Sequence, residues 1–354
     1  MEEIYSAAFL SCSDKSLTDD EKRLFEKFRP AGITLFSRNI DNIGQLQKLI
    51  KQIREIVGYD ILVAVDQEGG RVRRLKEPDF FPYVAQAKIG ELPLKLAKKA
   101  AKLHAELISY DLKKVGIDVN FAPVLDVMHA DTTDALRSRC FSDDVDIVSE
   151  LAKLSVDSYI ESGIIPCIKH LPGHGRAACD PHLGLPVIEA KITELADEFR
   201  PFQICNYAPM GMTAHILLTD IDKNYPITQS KTGINKIIRE MIGFNGFLIS
   251  DAIDMNALRG DIVQRAEASL AAGCDSVCYC MGRINEMYEL SKYCPKLSDE
   301  AMLRLDKAKE ILHNNLLKGV TKKREQYSAI FSEITAYNEK YDATEVLHKM
   351  QRKS

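Results

Sequence analysis

Asp180 and His182 stand two residues apart in the run Lys169-His170-Leu171-Pro172-Gly173-His174-Gly175-Arg176-Ala177-Ala178-Cys179-Asp180-Pro181-His182. On a helix that spacing separates side chains, whereas on an extended segment it puts them on one face. Pro181 pushes Asp180 towards extended geometry, so carboxylate and imidazole are expected to meet. A carboxylate on one ring nitrogen fixes the tautomer and leaves the other free to move a proton. The plain alternative is a surface Asp and His in a polar loop. Asp251 is the second candidate. It follows the apolar Phe247-Leu248-Ile249-Ser250 and should sit just above a packed interior, where an unpaired charge is costly. A nucleophile, a base or a metal ligand would each account for it, as would a helix N-cap or a structural ion pair.

Metal chemistry has to be weighed too. His170, His174, Cys179 and His182 are all ligand types, but they lie on a Gly-rich loop at a spacing that matches no common zinc pattern. Cys274, Cys278 and Cys280 lack a neighbouring fourth cysteine and read as buried thiols, with Cys278 and Cys280 on one face of a strand. Asp66-Gln67-Glu68-Gly69-Gly70 is no dinucleotide fingerprint, and no phosphate-cradling G-x-x-x-x-G-K-[ST] occurs. No metal and no cofactor are expected.

These residues need a frame. Short apolar runs at 5–12, 32–37, 61–67, 118–125, 166–171, 210–217, 247–252 and 276–280 read as strands, several nearly continuous in Val, Ile, Leu, Phe and Ala. That is the pattern of strands buried on both faces. Helix-like stretches at 45–57, 94–115, 144–162, 234–242 and 262–272 lie between them. Eight strands alternating with helices predict a parallel α/β sheet closed into a TIM-type (β/α)8 barrel, with a doubly wound open sheet as the alternative. Polar residues cluster where the strands end: Asp66 to Arg71, Lys169-His170, His215 and Ser250-Asp251. Barrel active sites form at that face.

The chain has 354 residues, 45% hydrophobic and 28% charged, with a formal net charge of -4. Such a balance argues against nucleic acid or a membrane surface as the main partner. The acidic start and nine scattered cysteines suggest neither a secretory signal nor a disulfide framework, and a cytoplasmic setting is expected. Residues 1–317 read as the barrel domain. Residues 318–354 read as a charged, Pro-free helical tail in which Ile330, Ile334, Tyr337 and Tyr341 recur at helical spacing.

The ordered motifs resemble glycoside hydrolase family 3, and within it the single-domain bacterial β-N-acetylglucosaminidases of peptidoglycan recycling. The resemblance rests on Gly32-Ile33-Thr34-Leu35-Phe36-Ser37-Arg38-Asn39, Ala64-Val65-Asp66-Gln67-Glu68-Gly69-Gly70-Arg71-Val72, Asn120-Phe121-Ala122-Pro123-Val124-Leu125-Asp126, the 169–182 run with Leu183-Gly184-Leu185-Pro186 after it, Met212-Thr213-Ala214-His215 and Ser250-Asp251. It implies a nucleophile at Asp251, an acid/base histidine at His182 held by Asp180, and sugar-binding groups at Asp66, Arg74, Arg139, Lys169 and His170. It further implies retaining hydrolysis of terminal β-linked N-acetylglucosamine, with a small carbohydrate or muropeptide as the partner molecule. The glycines around His182 are expected to let its loop close over a substrate. Two positions depart from the family pattern: Ala252 stands where an Asp is common, and Pro181 where a Ser is usual. A β-glucosidase, a phosphorolytic relative, a metal-dependent hydrolase and a non-catalytic sugar-binding barrel are the alternatives.

Overall fold

The computed structural model describes residues 5–313 and 315–332. Eight parallel strands close into one barrel: β1 (Ser6–Ser11), β2 (Pro30–Leu35), β3 (Leu62–Val65), β4 (Val119–Asn120), β5 (Ile165–Leu171), β6 (Met210–Thr213), β7 (Phe247–Ala252) and β8 (Ser276–Cys278). Closure comes from β1, which pairs with β2 on one side and with β8 on the other, Ala8 lying opposite Val277. A helix follows every strand: α1 (Asp19–Phe28), α2 (Ile43–Val57), α3 (Leu94–Val115), α4 (Val145–Glu161), α5 (Ala196–Ile204), α6 (Gly233–Met241), α7 (Ile262–Ala272) and α8 (Ile284–Tyr293). Two more, α9 (Asp299–Lys309) and α10 (Val320–Ile330), continue beyond the barrel.

The residues explain this layout. The strands are buried along nearly their whole length because side chains fill the inside and helices cover the outside. Gly32 is required by packing: a Cβ there would come within 2.2 Å of the Phe9 ring. α1 was not expected, yet it carries a sequence-visible capping box in which Thr18 and Glu21 satisfy each other's backbone N–H. α5 is masked in sequence by Pro201 within it. The helix at 233–241 is wound as a π-helix, with the Ile242 N–H donating to the Ile237 carbonyl five residues back.

Several strands are shorter than their apolar runs, β3 spanning only Leu62–Val65 and β6 only Met210–Thr213. β4 stops at Asn120 instead of continuing to Leu125, because Pro123 has no N–H to donate to a ladder. Only an isolated bridge between Val124 and Lys169 resumes it. Likewise β8 ends at Cys278. Among the described residues, no helix is long and apolar enough to cross a membrane.

Within the tail, α10 packs on α3 and buries Tyr327. Arg324 lies 2.6 Å from Asp111, and Lys323 pairs with Glu106. Ile334, Tyr337 and Tyr341 lie outside the described residues.

Candidate active site

A pocket of about 890 Å³, counting its open mouth, lies over the C-terminal ends of the strands. All the site residues anticipated from sequence line it: Asp66, Arg74, Arg139, Lys169, His170, Asp180, His182 and Asp251. They come from segments as far apart as 66 and 251 in the chain, brought to one face by the parallel barrel.

One side of the pocket is a buried ionic network. Lys169, near the end of β5, places Nζ 2.8 Å from Asp66 Oδ1 and 2.7 Å from Glu68 Oε1. Arg139 grips the same Glu68 through Nε and Nη2, both at 2.8 Å. Arg74 Nη2 lies 3.3 Å from Asp66 Oδ2. Burial alone would raise both carboxyls. Arg139 and Lys169 nevertheless hold Glu68 at about 2, and Lys169 and Arg74 push Asp66 well below the usual carboxylate range. Burial would lower Lys169, but Asp66 and Glu68 outweigh it and keep the ammonium charged. These are planar and point-charge donors held at fixed positions, suited to hydroxyl and carbonyl oxygens.

His170 has its ring fixed from behind. Its Nδ1 donates to Asp126 Oδ2 at 2.7 Å, and Arg139 Nη2 approaches Nε2 at 3.3 Å. The other Asp126 oxygen accepts the backbone N–H of His170 at 3.3 Å and of His174 at 2.7 Å.

Asp251 ends the apolar part of β7 and is buried. Its Oδ1 accepts the Ala252 N–H at 2.8 Å, and no other hydrogen bond to the carboxylate is found among the described residues. Burial works to raise its pKa, but the nearby imidazoles of His215 and His170 and the Ala252 N–H bring it below the ordinary value. His215 does not line the pocket. It is fully buried, with Nδ1 2.8 Å from Thr228 Oγ1 and Nε2 donating at 3.0 Å to the carbonyl of Ala252. Its place is behind the carboxylate, fixing the backbone that carries it.

Asp180 and His182 do meet, though by a turn instead of a simple extended segment. Asp180 Oδ1 receives both His182 Nδ1, at 2.8 Å, and the His182 backbone N–H, at 2.9 Å. The Asp180 carbonyl accepts from Leu183 N–H at 2.9 Å and closes the turn. His182 Nε2 is buried with no partner among the described residues. Burial raises Asp180, but hydrogen bonding and charge from His182 outweigh it and lower its pKa. Gly173 and Gly175 are closely packed: a Cβ at Gly175 would fall 1.7 Å from the Val127 carbonyl oxygen, and Gly173, at φ +134°, sits against Glu198.

Glu68 and Asp126 were not singled out from sequence, although each lies inside a quoted motif, and His174 was considered there only as a metal-ligand type. His174 lines the pocket beside His170, its ring centroid 5.7 Å away. Neither of its ring nitrogens has a partner among the described residues. Burial and His170 lower its pKa to about 4, so the ring is neutral. The available signal was a charged residue following an apolar strand, which marks Glu68 and Asp126 as buried and therefore paired. The candidate ligand run does not assemble: His170 is engaged by Asp126, and Cys179 is exposed. Among the described residues, no group of three His, Cys, Asp or Glu side chains is placed to hold a metal ion. Cys278 and Cys280 share the pocket wall as thiols, their sulfurs 3.6 Å apart.

The model of the glycosyl hydrolase family 3 N-terminal domain matches residues 6–314. A β-hexosaminidase from Glaesserella parasuis serovar 5 is 35% identical over 311 residues, covering 85% of this chain and 89% of its own. Another, from Bordetella avium, is 33% identical over 273 residues, covering 75% and 77%. The crystal structure of NagZ from Neisseria gonorrhoeae in complex with N-trifluoroacetyl-D-glucosamine superposes with a TM-score of 0.85 at 29% identity, covering 92% of this chain and 98% of that one.

Proposed function

The chain belongs to glycosyl hydrolase family 3, and from that premise we propose that it removes single N-acetylglucosamine units from the non-reducing ends of β-linked glycans, with retention of configuration. It is a glycoside hydrolase of the β-N-acetylhexosaminidase type. The observation that carries the mechanistic reading is the His182–Asp180 pair, whose open Nε2 lies in the same pocket as the ionised Asp251.

Asp251 attacks the anomeric carbon as the glycosidic C–O bond breaks, and His182, protonated, gives its Nε2 proton to the leaving oxygen. A glycosyl ester on Asp251 results. Neutral His182 then takes a proton from water as that water attacks the anomeric carbon, and the ester bond breaks. Asp180 stays anionic through both steps, fixing the tautomer and offsetting the charge of the imidazolium. His215 has no proton to move in this scheme; it holds the Ala252 carbonyl beside the nucleophile.

Asp66, Arg74, Arg139, Lys169 and His170 grip the hydroxyls and acetamido group of one sugar. His174, neutral and unpaired, offers one N–H and one lone pair to the same molecule. We place the natural substrate among muropeptides of peptidoglycan recycling and the enzyme in the cytoplasm. The nine cysteines, all thiols, suit a reducing compartment.

The test is release of a fluorophore from its β-N-acetylglucosaminide and its β-glucoside, with the anomer of the first product read by NMR. Turnover of the first substrate alone, with β-product appearing first, supports the reading. Binding of N-acetylglucosamine without turnover of either substrate overturns it in favour of a sugar-binding barrel.

A further inference from the structure

The match to the family model ends at residue 314, and α10 lies past it at Val320–Ile330. Its buried residue, Tyr327, does more than fill space. The Val84 N–H lies 3.3 Å from the Tyr327 hydroxyl oxygen. That hydroxyl lies 2.7 Å from His104 Nδ1, and His104 Nε2 lies 2.7 Å from the carbonyl oxygen of Glu68. The direction of every bond in this chain is determined. A backbone N–H can only donate and a carbonyl can only accept. His104 therefore carries its proton on Nε2, its Nδ1 accepts, and the Tyr327 hydroxyl donates to it. Burial lowers the His104 pKa to about 4, which keeps the ring in the neutral form the chain needs.

The far end of this chain is the pocket. Glu68, whose carbonyl His104 holds, uses its carboxylate to fix Lys169 and Arg139. The backbone fits His104 too closely to drift: at Gly69, φ +108°, a Cβ would sit 2.9 Å from His104 Cε1. A second link flanks the first. Arg324 pairs with Asp111 at 2.6 Å, Asp111 accepts from the Tyr83 hydroxyl at 2.6 Å, and the Tyr83 carbonyl accepts the Gly70 N–H at 2.9 Å. Both links leave α10 and end on the three residues 68–70.

We infer that α10 is a positioning element of the sugar pocket, acting through Tyr327 and His104 on the backbone of Glu68 and hence on Lys169 and Arg139. This rests on the proposed role of Lys169 and Arg139 as sugar-gripping groups. Tyr327 and His104 are positioning residues; neither lines the pocket.

The experiment compares Tyr327→Phe, which removes one hydroxyl and keeps the ring, with Lys323→Ala, which breaks a contact of the same helix outside the chain of hydrogen bonds. The readouts are KM and kcat for the fluorogenic N-acetylglucosaminide, Kd for N-acetylglucosamine, Tm, and amide exchange over residues 66–72. For Tyr327→Phe, KM and Kd should rise about three- to tenfold, the span expected for one lost hydrogen bond. Because a grip on the sugar acts in ground and transition states alike, kcat should change less, and exchange over 66–72 should quicken. Lys323→Ala should lower Tm at most. If Tyr327→Phe lowers Tm while KM, Kd and exchange stay at wild-type values, α10 is packing only and the inference falls. Faster exchange with unchanged Kd also overturns it, because the link would not reach the sugar. If the wild type binds the sugar without turning over either substrate, the catalytic reading fails, and the Kd and exchange arms still decide this one.

Discussion

Asp180 Oδ1 accepts from His182 twice, through Nδ1 at 2.8 Å and through the backbone N–H at 2.9 Å. One oxygen thereby sets both the ring's tautomer and the turn on which the ring stands. His182→Ala should lower kcat on poor leaving groups by about 10²–10⁴-fold, the range for a positioned acid–base group. Asp180→Ala should have a smaller effect of the same kind, because the imidazole remains but loses its orientation. On a dinitrophenyl glycoside, whose leaving group needs no proton, bond cleavage should be largely restored and the glycosyl-enzyme should accumulate as a burst. Equal losses on good and poor leaving groups would remove His182 from the acid role.

Asp251→Asn should lower turnover by about three orders of magnitude or more, with N-acetylglucosamine still bound. Because neighbouring imidazoles and the Ala252 N–H hold this carboxyl low, activity should persist below the pH at which an ordinary aspartate protonates, as far as Asp251 sets the limit. Azide added to a small-side-chain variant, Asp251→Ala, should give the α-glycosyl azide, detectable by NMR, since the small nucleophile would enter from the vacated face.

Glu68→Gln should cost stability and affinity together. The carboxylate is 2% exposed and partners two cations, so its neutralisation leaves buried positive charge less compensated, at about 3–5 kcal/mol. Denaturant unfolding and KM measure the two effects. The pH dependence follows from the folded-state pKa of about 2. The stabilisation is complete above the unfolded value near 4.3 and is lost as pH falls towards 2. Glu68→Gln should flatten the stability curve in that window.

His174→Asn should raise KM by removing a pocket group, and should also change acid sensitivity. The folded ring has a pKa of about 4 against an ordinary 6.5. The unfolded chain therefore binds the proton more readily, and stability is lost as pH falls from 6.5 towards 4. Between pH 7 and pH 5 the wild type should lose about 2 kcal/mol more than His174→Asn. Parallel stability curves would show that the ring is not held neutral.

The alternation of strands and helices was legible because its signals are local, whereas closure of the sheet rests on the pairing of β1 with β8. A strand covered on both sides is an apolar run, and a helix against it repeats every 3.6 residues, so the eight strand positions and their order could be read along the chain. Where a local signal pointed too far, a backbone constraint intervened: Pro123 cannot donate to a ladder, and β4 ends at Asn120. α1 shows the converse, since its capping box at Thr18 and Glu21 was there to be read.

Residue types at strand ends, and the proximity of Asp180 to His182, were determined by the sequence alone, because they depend on order and on distances of a few residues. What Glu68, Asp126 and Tyr327 do was decided only by the tertiary structure. Glu68 meets Lys169 and Arg139, Asp126 meets His170, and Tyr327 meets His104 across 223 positions of chain. Nothing in a linear pattern states which buried charge will face which. Desolvation makes an unpaired group costly, so the sequence demanded partners for these side chains. Closing the barrel, and packing α10 on α3, chose them.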